Sequence, residues 1–156
     1  MSIWFAHASI TAKNMTKLAE FYGKVFDCAP ARPEKSFSGE WLAKGTGVPG
    51  AAIRRVHLRF PGDTDEPPML EIIEYENSLD SPPPSPANRK GLRHIAFETE
   101  SADELRSLFD LVLLHGGGKL GEITERKLEG IGVVTFVYMT DPEGNIVELV
   151  NWKDTA

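Results

Sequence analysis

Two stretches of this chain repeat one another, and the repeat constrains the fold more than any local pattern. Residues 4–27, WFAHASITAKNMTKLAEFYGKVFD, and 91–114, GLRHIAFETESADELRSLFDLVLL, align without a gap when His7 is laid over His94. Leu18 then falls on Leu105, Phe21 on Leu108, Tyr22 on Phe109, Val25 on Val112 and Phe26 on Leu113. Downstream, MLEIIEY (69–75) matches IVELVNW (146–152), with Glu71 over Glu148 and an aromatic four residues on. A period of 87 residues is too long for a solenoid, so the chain reads as two duplicated modules. His and Glu stand 64 residues apart in the first module and 54 in the second, which gives the first an insertion of ten.

At 156 residues the chain is long enough to bury most of its apolar surface, and 41% hydrophobic with 26% charged residues describes a soluble globular protein. A net charge of −6 argues against a general nucleic-acid partner, which needs clustered Lys and Arg. The one cysteine, Cys28, has no internal disulfide partner and fits a reducing compartment. No basic segment followed by an apolar stretch opens the chain, and no apolar run approaches the roughly 20 residues that span a bilayer. The expectation is a cytoplasmic protein with no membrane partner.

In chain order, residues 3–10 read as a buried strand, with Phe5, His7 and Ser9 on one face. Asn14 or Thr16 caps a helix whose core stripe is Met15, Leu18, Phe21, Tyr22, Val25 and Phe26, and Pro30 and Pro33 follow its end. Residues 34–50 carry the insertion; five breakers predict a loop, with a short strand at 40–43, of a length that often serves as a lid. Residues 51–60 alternate, placing Val56, Leu58 and Phe60 on one face and Arg55, His57 and Arg59 on the other. That basic face reads as a solvated strand surface or as an anion-binding stripe. A turn at Pro61-Gly62-Asp63 and an acidic loop precede the strand 69–75, and the proline-rich stretch 77–91 reads as the intermodule linker.

The second module begins at Leu92. Ser101 to Glu104 is a capping-box sequence, the glycines 116–118 terminate the helix, and His115 beside them reads as a dipole partner or bare surface. Residues 120–128, 131–140 and 145–152 read as strands, the last two joined by the turn Asp141-Pro142-Glu143-Gly144. The order is βαβββ twice, an α+β class: a first module at 1–76, a linker at 77–91 and a second module at 92–156.

With a His in each first strand, a Glu in each fourth strand and DPEGN before the last Glu, the chain resembles the vicinal oxygen chelate superfamily, which includes glyoxalase I, methylmalonyl-CoA epimerase, extradiol dioxygenases and antibiotic-resistance proteins. The resemblance implies two curved mixed sheets around a shared metal cleft, helices on the convex face, and a homodimer. It also implies one divalent ion (Ni, Co, Zn, Mn, Mg or Fe) on His7, Glu71, His94 and Glu148. Two imidazoles and two carboxylates suit such an ion and leave two positions for a small-molecule substrate with adjacent oxygens.

The implied activity is that of a lyase, isomerase or epimerase of the glyoxalase type, in which a proton leaves the carbon next to a carbonyl and a metal-stabilised enediolate forms. Glu148 is the first candidate for the base and Glu71 the second, while Arg55, His57 and Arg59 are candidates for binding substrate. Glutathione-using relatives carry Arg four residues after the first ligand, where this chain has Thr11, and Asn-Trp after the first Glu, where it has Glu74-Tyr75-Glu76. Thr lacks the guanidinium fork that grips a carboxylate. The alternatives are an iron-dependent extradiol-type dioxygenase, using two His and one carboxylate, and a metal-free small-molecule binder. Tyr22, Trp41 and Tyr138 read as core or as aromatic walls of such a pocket.

Overall fold

The computed structural model describes residues 3–62, 68–80 and 86–153, and within them the chain forms two compact units, Met1–Asp80 and Ser81–Ala156. Asp63, most of the acidic loop and the three consecutive prolines of the proposed linker lie outside the described residues. The class is α+β, with one mixed sheet in each unit. No helix among the described residues is long and apolar enough to cross a membrane.

The first unit runs β1 (His7–Thr11), α1 (Met15–Phe26), β2 (Ala29–Ser38), α2 (Glu40–Thr46), β3 (Ala52–Arg59), β4 (Met69–Tyr75). Its sheet order is β1-β4-β3-β2, with β1 parallel to β4 and the other pairs antiparallel. Asn14 caps α1 by accepting from the Lys17 N–H at 3.0 Å. At the other end Asp27 adopts a left-handed conformation (φ 54°), and the Cys28 N–H donates back to the Tyr22 carbonyl. The stripe Met15, Leu18, Phe21, Tyr22, Val25 and Phe26 is buried, as its spacing predicts. It lies over Leu58, Leu70 and Ile72, also buried, and each such large side chain contributes about 1.5–3 kcal/mol through burial.

Three expectations need correction here. The first strand begins at His7, and Ile3, Trp4 and Phe5 are exposed; β1 is an edge strand that alternates exposed and half-buried, and does not read as buried throughout. Residues 29–38, which take in Pro30 and Pro33 beyond the helix and the start of the loop expected at 34–50, form a ten-residue strand. Pro30 and Pro33 are tolerated because β2 is an edge strand carrying two register shifts, between Pro30 and Arg32 and between Arg32 and Lys35. The insertion is a helix, α2, not a loop with a strand at 40–43; Gly39 and Gly47, both at positive φ, delimit it. Leu42 of α2 joins Ala51 and Ile53 in a small core of its own, with Phe37, Val48, Ile73 and Tyr75 packed against it.

The second unit runs β5 (His94–Glu98), α3 (Ala102–Leu114), β6 (Gly118–Lys119), β7 (Thr124–Leu128), β8 (Gly132–Thr140), β9 (Ile146–Lys153). The sheet order is β5-β9-β8-β6, with β7 also paired to β8; the strand expected at 120–128 starts only at Thr124, and the separate two-residue β6 precedes it on the same neighbour. Ser101 caps α3 by accepting from the Glu104 N–H, while the Glu104 carboxylate accepts from the Glu100 N–H at 3.0 Å, one residue before the usual reach of a capping box. The turn into β9 is built on buried Asp141, which accepts from the Glu143 and Asn145 backbone N–H groups and from the Asn145 side chain, all within 2.9 Å.

Candidate metal and substrate site

Parallel pairing sets the first functional contact. In the first unit Ser9 is registered with Glu71, so His7, two residues earlier on the same face, lies diagonally from that carboxylate. In the second unit Ala96 is registered with Glu148, and His94 again stands two residues earlier. The contacts follow: His7 Nε2 to Glu71 Oε2 is 3.4 Å, and His94 Nε2 to Glu148 Oε2 is 2.9 Å. Two ligands of one ion, each bonded at about 2.1 Å and roughly at right angles, stand about 3 Å apart, so each His–Glu pair is spaced as adjacent ligands are. Each pair, one imidazole and one carboxylate, offers donor types that suit a divalent ion. Among the described residues no group of three or more His, Cys, Asp or Glu is arranged to hold a metal.

The two pairs differ in their surroundings. Glu71 is buried, and its Oε1 receives Arg55 Nη1 at 3.0 Å and faces His57 Nε2 at 3.3 Å. His57 is registered directly opposite Glu71. Burial lowers its pKa below the ordinary value; Glu71 opposes that shift, and Arg55, His7 and Arg32 add to it. The His57 ring meets His7 edge-on at 5.8 Å. Glu148 is more open, its side chain 18% exposed against 6% for Glu71, and among the described residues its ion-pair partner is His94 alone. Tyr138 holds the position opposite Glu148 that His57 holds opposite Glu71, with its ring 5.0 Å from His94. Burial, with Glu148 adding to it, raises the Tyr138 pKa.

Of the basic stripe, Arg55 and His57 both engage Glu71, so the reading of a solvated strand surface fails for these two, while Arg59 is exposed. Arg55 also lies over the Phe37 ring at 4.8 Å. Tyr22 is wholly buried in the core, whereas Trp41 is 62% exposed and meets Phe37 edge-on. Sequence reasoning missed Arg32 and Lys35, which belong to the unrecognised strand β2. The sequence offered no period-two signal for it, since Arg32 and Lys35 stand three residues apart and two register shifts interrupt the strand. A cavity of about 360 Å³ lies on the helix side of the first sheet, lined by Met15, Ala19, Val56 and Leu58 among others; it contains none of the His–Glu side chains.

Fold, repeat and the doubled His–Glu pair define the class, and the sequence agrees: residues 4–149 match the family described as Glyoxalase/Bleomycin resistance protein/Dioxygenase superfamily. The chain belongs to that superfamily. Among solved structures it is similar to a glyoxalase family protein from Bacillus cereus, at TM-score 0.80 and 17% identity over 99% of this chain and 97% of that one. It is also similar to a glyoxylase/bleomycin resistance protein/dioxygenase domain from Frankia sp. EAN1pec, at TM-score 0.60 and 16% identity over 98% and 100%. A mutant of the fosfomycin resistance protein FosX from Listeria monocytogenes, complexed with Mn(II) and 1S,2S-dihydroxypropylphosphonic acid, aligns at TM-score 0.54 and 17% identity over 96% and 92%. At these identities the likeness is one of fold. No curated protein matches the chain.

Proposed function

We propose that the protein is a divalent-metal enzyme of the glyoxalase type, a lyase, isomerase or epimerase that moves a proton next to a carbonyl. The observation that carries this reading is the His–Glu apposition repeated at equivalent register positions, His7 with Glu71 and His94 with Glu148. These four residues are the proposed ligands, two imidazole nitrogens and two carboxylates. A divalent ion so held supplies Lewis-acid stabilisation of the negative charge that develops on an oxygen when a proton leaves the adjacent carbon. That the FosX relative was crystallised with Mn(II) is consistent with such a site.

Within the chain, Glu148 is the general base. It carries a carboxylate without a cationic Arg or Lys beside it among the described residues, it is partly solvated, and His94 at 2.9 Å orients it. Glu71 is the second candidate, because its Oε1 is already occupied by Arg55 Nη1 at 3.0 Å and faces His57 Nε2 at 3.3 Å. Tyr138 and Phe136, on the Glu148 face of β8, form an aromatic wall against substrate, and their rings are 6.1 Å apart. Arg55, His57 and Arg59 form the substrate-binding face of the first unit. The protein is proposed to act in the cytoplasm as a homodimer.

The test is elemental analysis of the purified protein, then proton-exchange assays on 2-oxo thioesters and hemithioacetals with Ni, Co, Zn, Mn and Fe compared. About one metal per chain, lost in His94→Ala, supports the reading; no metal under any loading condition refutes it.

The engagement of Glu71 by Arg55 and His57 favours a second reading. With Glu71 held by protein partners, the remaining donors are His7, His94 and Glu148, two His and one carboxylate, the set typical of non-haem iron oxygenases. Oxygen uptake with catechols by the Fe(II)-loaded protein, retained in Glu71→Gln, distinguishes this dioxygenase from the isomerase.

A further inference from the structure

We propose that the β2–β3 half of the first sheet binds a multiply charged oxyanion, a phosphate or phosphonate head group, through Arg32, Lys35, Arg55 and Arg59. This names the substrate class of the face assigned above and rests on that reading.

The register shifts of β2 make the face. In a regular strand residues 32 and 35, an odd number apart, stand on opposite sides of the sheet. Here one extra residue between Pro30 and Arg32 registers Arg32 with His57, and another between Arg32 and Lys35 registers Lys35 with Arg55. Both shifts therefore deliver a cation to the side that carries Arg55, His57 and Arg59.

Charges on the two sides of this sheet are sorted. On the helix side, Arg54 is neutralised by Glu34 at 2.7 Å and lies 3.9 Å from Glu74. On the opposite side four cations share one carboxylate, buried Glu71, and that carboxylate is taken by Arg55. Arg32, Lys35 and Arg59 are exposed and have no acidic partner among the described residues. A chain of net charge −6 thus carries on this face four Arg and Lys cations against one carboxylate. That excess matches a dianion better than a single carboxylate. The insertion bounds the face at one end: α2 seats Leu42 against Phe37, Ile73 and Tyr75, and Phe37 in turn supports the Arg55 guanidinium at 4.8 Å. One of the four cations is therefore already fixed in place.

The alternative is that proline and cations on an edge strand only prevent pairing with other chains. The two are separated by titrating metal-free ¹⁵N-labelled protein with inorganic phosphate, methylphosphonate and acetate at fixed ionic strength and pH. The expected result is saturable shifts confined to β2 and β3 amides around residues 32, 35, 57 and 59, with phosphate or phosphonate but not acetate. Arg32→Gln and Arg59→Gln each weaken binding about tenfold, as loss of a charge-assisted hydrogen bond does. Lys17→Gln, on α1, leaves it unchanged. Methylphosphonate binding as tightly as phosphate assigns an organic head group, and phosphate alone assigns the free anion. Non-saturable shifts, saturation elsewhere, or equal weakening by Lys17→Gln overturns the proposal. Because no metal is present, anion binding without metal uptake sinks the metal reading alone, and metal uptake without anion binding sinks this one alone.

Discussion

Arg55 donates to Glu71 at 3.0 Å, and the carboxylate it reaches is buried. Its counterpart position in the repeat, two residues before the residue opposite the glutamate, is Phe136, so at these matched positions Glu71 has an arginine partner where Glu148 has a phenylalanine nearby. Arg55→Met is expected to destabilise the protein by about 1–2 kcal/mol, since it removes a charge-assisted bond from a buried carboxylate while His57 and His7 still face it. Urea denaturation with an unchanged slope and a lowered midpoint is the measurement.

Glu148→Gln keeps the shape of the more open carboxylate and removes its basicity. Proton exchange at the substrate carbon is expected to fall about 10²–10⁴-fold. Glu71→Gln is expected to cost less in exchange rate, because Arg55 and His57 already occupy one oxygen of that carboxylate. Equal losses in the two variants would reject the assignment of the base.

The Cys28 thiol is buried, and burial, reinforced by Asp27, pushes its pKa up to about 12 from the ordinary 9.0. The native protein should not react with a thiol reagent at pH 8, and should react fully once unfolded. Between those two pKa values the unfolded chain has released the proton and the folded chain retains it. The contribution to stability is therefore complete below pH 9 and is lost as pH rises toward 12. Cys28→Ser is expected to flatten that part of the stability profile.

Two glycines of opposite circumstance test the backbone argument. A Cβ at Gly117 would lie 2.5 Å from Val112 Cγ1 and 2.6 Å from the Thr140 carbonyl oxygen, so Gly117→Ala is expected to cost about 1–3 kcal/mol. Gly45 lies inside α2 with nothing within 4 Å of the added carbon. Gly45→Ala is expected to stabilise by about 0.5–1 kcal/mol. Thermal midpoints of the two variants should move in opposite directions.

Asp141→Ala strips three hydrogen bonds from the turn that launches β9, leaving the Glu143 and Asn145 N–H groups without that acceptor. A loss of about 1–3 kcal/mol is expected, read by denaturant midpoint. Because β9 carries Glu148, activity should fall along with stability.

What the chain determined by itself was periodic. The helical stripes of α1 and α3, the alternation of β3, the repeat that sets His7 over His94 and Glu71 over Glu148, and the Asp141 turn depend on residue spacing, and spacing is written in the sequence. Tertiary structure decided the rest, because the deciding interactions join segments far apart in the chain. Prolines disguised β2, which forms because β3 offers it a ladder and its bulges absorb the mismatch. The glycines around 40–46 hid α2, which is held by the long-range core of Leu42, Ala51 and Ile53. The inequality of the two glutamates was equally hidden: nothing near Glu71 in sequence reveals that Arg55, sixteen residues away, occupies it, and only the pairing of β3 with β4 brings them together.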